Sequence, residues 1–165
     1  MIFERARLDD MPRILEIYEG ARQFMKETGN PNQWKNTDPS KEELLEDIEL
    51  ERLFVVKEDG IIEGAFMFST RPDPTYATIY GGEWLNNGSY GVLHRVASSG
   101  KIPKFTDRIF EWAAQFVPNL RIDTHQDNKV MQNAVTRNGF KYCGIIYLLN
   151  GEERLAYQKV IEPLI

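Results

Sequence analysis

The sequence predicts a mixed α/β fold, and three stretches carry the prediction. Tyr90 to Trp112 reads as a strand, a short loop of small residues and an amphipathic helix. Leu53 to Lys57 and Ile61 to Ser69 read as two strands joined by Glu58-Asp59-Gly60, and Asp-Gly is a strong hairpin signal. Leu120 to His125 reads as a strand that leads into a helical pattern over 128–138.

The central stretch carries the most chemistry. Tyr90 to Ala97 is β-rich and apolar, with Val92, Leu93 and Val96 around His94 and Arg95. Ser98, Ser99 and Gly100 break it. Phe105, Ile109, Trp112, Ala113 and Phe116 then recur at helical spacing. A loop that delivers a parallel strand into a helix turns free backbone N–H groups and a positive dipole end toward one spot, which favours phosphate. Lys101 and Lys104 add positive charge there.

The other elements follow from local signals. Ile2 to Arg7 is a strand candidate. Asp9 or Asp10 is placed to cap a helix with Pro12 in its first turn, and Met11, Ile14, Leu15, Tyr18, Ala21 and Met25 mark its inner face. That helix is expected to end near Thr28-Gly29. Asn30 to Pro39 is loop by composition, and its Trp34 suits either a satellite core position or a lid over a ligand. Ser40 and Glu43 form a capping box for a second helix, with Leu44, Leu45 and Ile48 inward. Its acidic residues Glu42, Glu46, Asp47, Glu49 and Glu51 read as a solvated face, with attraction of a cationic substrate as the alternative.

Arg71 to Gly88 is long and irregular apart from a small strand expected at Tyr76 to Tyr80, and loops of that length are often functional. Asp127 is placed to cap the helix over 128–138, with Met131, Ala134 and Val135 inward and Gly139 just past its end. Phe140 to Leu149 is a strand region kinked at Gly144. Asn150-Gly151 turns the chain into a last strand, Arg154 to Val160.

Length and composition narrow the class. The 165 residues fit one domain, 1–165, and 42% hydrophobic content supports a sizeable core. A net charge of −5 argues against a general nucleic-acid surface. The lone cysteine, Cys143, excludes an intrachain disulfide, and with only two histidines no thiolate metal site is suggested. The charged N-terminal stretch does not resemble a signal peptide, and no apolar run approaches the roughly 20 residues that span a bilayer. The expectation is a cytoplasmic protein with no membrane partner.

The order of elements, and RIDTHQDNKVMQNAVTRNGFKYCGIIY in particular, resembles the GNAT N-acetyltransferase superfamily over essentially the whole chain. Asn128 opens a helix, and Gly139-Phe140 opens the next strand eleven residues on, as in the GNAT ending. The resemblance implies a mostly antiparallel sheet of about six to seven strands flanked by helices, with the strand–loop–helix as the cofactor unit. It implies acetyl-CoA as co-substrate and a small-molecule or peptide amine as acceptor, and a homodimer is compatible with it.

The signature loop of that family is Q/R-x-x-G-x-G/A, and the matching positions here are Lys101-Ile102-Pro103-Lys104-Phe105-Thr106. Lys101 stands where Gln or Arg is usual. Lys104 and Thr106 stand where Gly and Gly or Ala are usual. A Cβ at those positions crowds a diphosphate, and Pro103 has no N–H to donate. Three readings follow: the lysines replace lost backbone donors, the cofactor binds in a shifted pose, or binding is weak or lost.

By resemblance, Val96, Ala97 and Ser98 offer backbone groups to the pantetheine arm, and the Val96 N–H is the oxyanion donor. Gly100, Lys101, Lys104, Phe105, Thr106, Asn128 and Met131 complete the implied cofactor contacts. The tyrosine that often serves as general acid, seven residues after the helix-opening Asn, is Val135 here. Tyr142 and Tyr147 are alternatives on the following strand. His94 and His125 titrate near neutral pH without help, so either can be the base; a hydrogen-bonded core role competes for His94, and capping for His125. Glu83 can act through a water. Asp123 can pair with an arginine, and Cys143 reads as a buried structural thiol.

Three functional classes are thus in view: an acetyl-CoA-dependent N-acetyltransferase, a catalytically silent GNAT-fold binding or sensing module, and a nucleotide-dependent phosphotransferase. The last lacks the Gly-x-x-x-x-Gly-Lys-Ser/Thr loop and following metal carboxylates.

Overall fold

The structure is a computed structural model that describes residues 1–161. The chain forms β1 (Ile2–Arg5), α1 (Met11–Glu27), α2 (Lys41–Glu49), β2 (Leu53–Glu58), β3 (Ile61–Ser69), β4 (Gly91–Ser98), α3 (Phe105–Ala113), β5 (Asn119–Thr124), α4 (Lys129–Arg137), β6 (Lys141–Tyr147) and β7 (Glu153–Val160). The strands make one sheet in the order β1-β2-β3-β4-β5-β7-β6. Pairs β1–β2, β2–β3, β5–β7 and β6–β7 are antiparallel, and β4–β5 is parallel with Gly91 beside Leu120 and Val92 beside Arg121. This is the mixed, mostly antiparallel architecture expected from the sequence. The chain divides into two compact units, residues 1–68 with 94–105, and residues 69–93 with Thr106 onward.

In the first unit, α1 buries Met11, Ile14, Tyr18 and Ala21 of the face read from the sequence, with Leu15 and Met25 partly buried and Ile17 buried in addition, against Leu44 of α2 and Leu53, Val55 and Ala65 of the sheet. Asp10 does not cap α1 through its side chain; its Oδ2 instead accepts from the Arg7 N–H at 2.9 Å, which closes a 3-10 turn over Leu8–Asp10. The predicted capping box on α2 forms: Ser40 Oγ accepts from the Glu43 N–H at 3.1 Å, and Glu43 accepts in return from the Ser40 N–H at 3.3 Å. Two positions on α2 differ from expectation. Leu45 is 36% exposed, and Asp47 is fully buried. Trp34 is buried with its ring 5.7 Å from that of Tyr18, so it is part of the core here and not a lid.

In the second unit, Tyr76, Val92, Ile146 and Ala156 form a core cluster with Ile79, Trp84, Tyr90 and Leu148 packed against it. No strand forms at 76–80. Asp73 Oδ1 accepts from the Thr75 N–H at 2.9 Å and starts a 3-10 turn at Pro74–Tyr76, and only Tyr80 makes a bridge, to Ile145. The long segment before β4 is pinned rather than loose. Trp84 Nε1 donates to the Tyr76 carbonyl, Leu85 N–H donates to Gln158 Oε1, and Asn86 Nδ2 donates to Asn119 Oδ1.

Asn128, not Asp127, caps α4, with its Oδ1 accepting from the Met131 N–H at 2.9 Å. Gly144 sits at the register shift in β6 with φ +149°, the kink anticipated there. No helix among the described residues is long and apolar enough to cross a membrane.

Candidate functional site

The carboxyl end of β4 lies in the first unit, and its backbone is irregular where the chemistry is expected. Arg95 has φ +54°, the left-handed region that costs a side-chain-bearing residue roughly 1–2 kcal/mol. Two neighbours hold it there, and a third braces one of them. The Tyr18 hydroxyl donates to the Arg95 carbonyl at 2.6 Å. The Arg95 guanidinium donates to both Asp47 oxygens, Nε to Oδ2 at 2.8 Å and Nη2 to Oδ1 at 3.0 Å. Asp47 Oδ1 also accepts from Arg52 Nε at 2.7 Å. Burial opposes the charge on Arg95, but the Asp47 carboxylate outweighs it and moves the guanidinium pKa up. Burial likewise pushes the Tyr18 hydroxyl well above the usual phenol range, so it remains a proton donor.

Val96, Ala97 and Ser98 follow the kink, with Ala97 buried and Val96 and Ser98 half-buried. His94, just before it, is half-buried. The following loop is anchored on Glu63, which is 5% exposed. The Glu63 carbonyl accepts from the Ser99 N–H at 2.9 Å, and its carboxylate takes Arg13 Nη2 at 2.7 Å and Lys101 Nζ at 3.8 Å.

Gly64, next in β3, is there for clearance. A Cβ on it would overlap the Phe105 ring, so its absence lets the first residue of α3 pack onto the strand. Gly100 has φ +89° and Lys104 has φ +54°. Lys104 therefore takes the backbone conformation that glycine takes easily, while carrying a side chain. It is exposed and has no ion-pair partner among the described residues.

These residues fit the diphosphate and thioester arm of acetyl-CoA, with fewer backbone donors than a glycine loop. The first-turn N–H groups of α3 lack intrahelical partners, as at any helix start. Open space surrounds the Cα of Gly100. Against this, Ser98 Oγ already accepts from the Gly100 N–H at 3.0 Å, and Ser99 Oγ accepts from the Lys101 N–H at 3.3 Å. Lys104 is an exposed positive charge beside these engaged amides. Lys101 contributes less, because it shares Glu63 with Arg13. Thr106, half-buried, sits on the first turn of α3.

The second unit holds a cavity of about 220 Å³ at the carboxyl end of β5, lined by His125, Gln126, Ile145, Glu152, Glu153, Arg154 and Leu155. Arg154 is 5% exposed; its Nη1 donates to the Glu153 carbonyl at 2.8 Å, and its Nη2 lies 3.5 Å from Glu152 Oε2. His125 Nδ1 accepts from the Asp127 N–H at 3.0 Å. Neutral His125 in that arrangement carries its proton on Nε2. Gaining a proton at Nδ1 would break the hydrogen bond from the Asp127 N–H while bringing the charge 3.6 Å from Asp127 Oδ2. Burial and the nearby Arg154 both lower its pKa from 6.5, against a smaller opposing pull from Asp127 and Glu152.

Other sequence candidates lie elsewhere in this unit. Glu83 is exposed on the segment before β4. Tyr142 is 53% exposed on β6 with its ring 5.7 Å from that of Tyr157. Tyr147 donates from its hydroxyl to Glu153 Oε1 at 3.3 Å. Val135 is buried inside the unit, and Met131 is half-buried on α4. Asn128 commits its side-chain oxygen to the α4 cap. Asp123 Oδ2 accepts from the Tyr76 hydroxyl at 2.6 Å. Cys143 is a buried thiol whose pKa is raised by burial.

Sequence reasoning missed Tyr18, Asp47, Glu63, Gly64 and the Glu152–Arg154 wall. Only Asp47 had a signal: it lies three residues after Leu44 and beside Ile48, on the inward face of α2.

The fold is thus a mostly antiparallel sheet with one parallel pair, β4–β5, and a strand–loop–helix at the end of β4. Solved structures share it. A GNAT-family acetyltransferase from Streptococcus agalactiae 2603 is 27% identical, covers 98% of this chain and 96% of its own, and superposes with a TM-score of 0.88. A putative acetyltransferase from Staphylococcus aureus Mu50 is 21% identical over 98% of this chain and 100% of its own, with a TM-score of 0.71. The putative acetyltransferase yncA from Salmonella typhimurium, described with its cofactor acetyl-CoA, is 12% identical over 99% of this chain and 95% of its own, with a TM-score of 0.63. No protein-family model and no curated protein matches the chain. The chain belongs to the GNAT acetyltransferase superfamily.

Proposed function

We propose that this protein is an acetyl-CoA-dependent N-acetyltransferase that acts on a primary amine. The observation that carries the reading is the retained backbone shape at the end of β4. Arg95, Gly100 and Lys104 all take left-handed conformations there, although two of the three bear side chains. Side-chain-bearing residues in this region of backbone space are enriched at ligand sites, and two of the five in the described chain fall between β4 and α3 or on β4 itself. The presence of acetyl-CoA in the yncA structure supports the same reading.

When bound, acetyl-CoA supplies an activated acetyl group. The α3 start and Lys104 hold the diphosphate, and the Val96–Ser98 backbone pairs with the pantetheine arm. The Val96 N–H stabilises the negative charge that develops on the acetyl oxygen. The β5 cavity of the second unit gathers the Glu152 and Glu153 carboxylates with His125 and Arg154, a polar lining suited to a small charged ligand.

The test is a thiol-release assay with acetyl-CoA and a panel of primary amines, from free amino acids to peptides. Amine-dependent release of CoA is expected. A second reading, a silent binding module, is favoured by Val135 in the general-acid position and by the engaged Nδ1 of His125. Saturable acetyl-CoA binding with no release against the whole panel would select it.

A further inference from the structure

We propose that Tyr18 is the positioning residue for the acetyl carbonyl: by holding the Arg95 carbonyl, it aims the Val96 N–H. The inference rests on the transferase reading above and extends it to a residue on α1. The Arg95–Val96 peptide is planar, so its C=O and N–H point in opposite directions. Fixing one fixes the other. The Tyr18 hydroxyl fixes the C=O at 2.6 Å, so the Val96 N–H is turned away from α1.

The surroundings leave this peptide little freedom. Tyr18 is fully buried, and its ring packs against Trp34 at 5.7 Å. Asp47 grips the Arg95 side chain through two hydrogen bonds. The peptide is therefore held at its oxygen by one element and at its side chain by another, in a backbone conformation that Arg95 would leave if released. A short hydrogen bond to a peptide oxygen also polarises the N–H across the same group, which strengthens it as a donor. Tyr18 thus sets both the direction and the strength of the donor without touching the substrate.

A merely structural tyrosine would change stability and leave the bound carbonyl alone, so the experiment reads the carbonyl. The stretching frequency of carbonyl-labelled acetyl-CoA is measured by isotope-edited infrared spectroscopy in wild type and Tyr18→Phe, after calorimetry of both with free CoA. The expected result is a carbonyl stretch lowered in wild type and moved back toward its solution value in Tyr18→Phe. Affinity for free CoA is expected to change by no more than about twofold, since CoA lacks the acetyl oxygen.

Tyr18→3,5-difluorotyrosine, a stronger donor of nearly the same shape, is expected to lower the stretch further. Equal frequencies in wild type and Tyr18→Phe would overturn the proposal. If Tyr18→Phe does not fold, an unchanged frequency in the fluorinated protein would overturn it equally. Wild type that shows no saturable acetyl-CoA binding would overturn the transferase reading, and this inference with it, before any spectrum is taken.

Discussion

Arg95 on β4, in the first unit, and Arg121 on β5, in the second, are held by different means. In the first, Arg95 meets the Asp47 carboxylate, and Asp47 also takes Arg52. In the second, Arg121 meets no carboxylate among the described residues. Its guanidinium lies between the rings of Trp84 and Tyr90, at 4.2 and 4.1 Å from their centroids, and donates to the Asn86 carbonyl at 2.9 Å and Gln158 Oε1 at 3.3 Å. Burial lowers the pKa of Arg121, whereas the carboxylate raises that of Arg95. Arg121 ties down a loop with neutral partners. Arg95 carries a strained backbone in the strand where the cofactor is expected. The charge pair sits where geometry must be held against a conformational preference, and the neutral cage sits where a segment must only be kept closed.

Breaking the charge pair should have the largest effect. Asp47→Ala removes the carboxylate shared by two arginines, leaving Arg95 only the more distant Glu43 at 3.8 Å, and is expected to cost about 3 kcal/mol, read as a lower urea midpoint. Arg121→Met should cost less, about 1–2 kcal/mol, because it abandons only neutral acceptors and ring contacts. If Arg121→Met proves the more damaging, the contrast between the units is wrong. Gly64→Ala tests the anchoring of α3 in the first unit. The added methyl displaces the Phe105 ring, at a cost of about 2 kcal/mol by overpacking, and acetyl-CoA affinity should fall with it.

The smallest effect sharpens the second unit. The folded pKa of His125 is lowered, so the unfolded chain binds the proton more readily. The stability that neutral His125 contributes is then present above the unfolded value of 6.5 and lost as pH falls through the folded value. Asp127 and Glu152 favour the charged form and Arg154 opposes it, so the net effect is modest. The melting-temperature advantage of wild type over His125→Gln should shrink as pH is lowered from about 8 to about 5. An advantage that grows toward acid would mean that the protonated ring is the stabilised form.

The fold was legible because hydrophobic periodicity and turn chemistry are local. The Asp59-Gly60 hairpin, the Ser40–Glu43 box and the Gly139 stop all reappear in the structure. Asp127 and Asn128 differ by a single residue in capping, which sequence cannot settle because either side chain can accept from the next turn. The site was less legible. A tyrosine on the apolar face of α1 reads as core, and nothing local tells that its hydroxyl ends on a carbonyl seventy-seven positions away. The acids of α2 read as one solvated face, while the tertiary structure turns Asp47 inward to two arginines. Lys104 reads as a lost glycine, and only its φ of +54° shows that it takes a backbone conformation glycine takes easily.

The central claim is that this backbone shape still holds acetyl-CoA, with Lys104 in place of part of the amide cradle. Calorimetric titration of acetyl-CoA into wild type and Lys104→Ala, at low and high salt, tests it most directly. Saturable binding is expected in wild type, weaker by about tenfold in the variant and with a shallower salt dependence. No saturable binding to wild type up to millimolar acetyl-CoA would contradict the account.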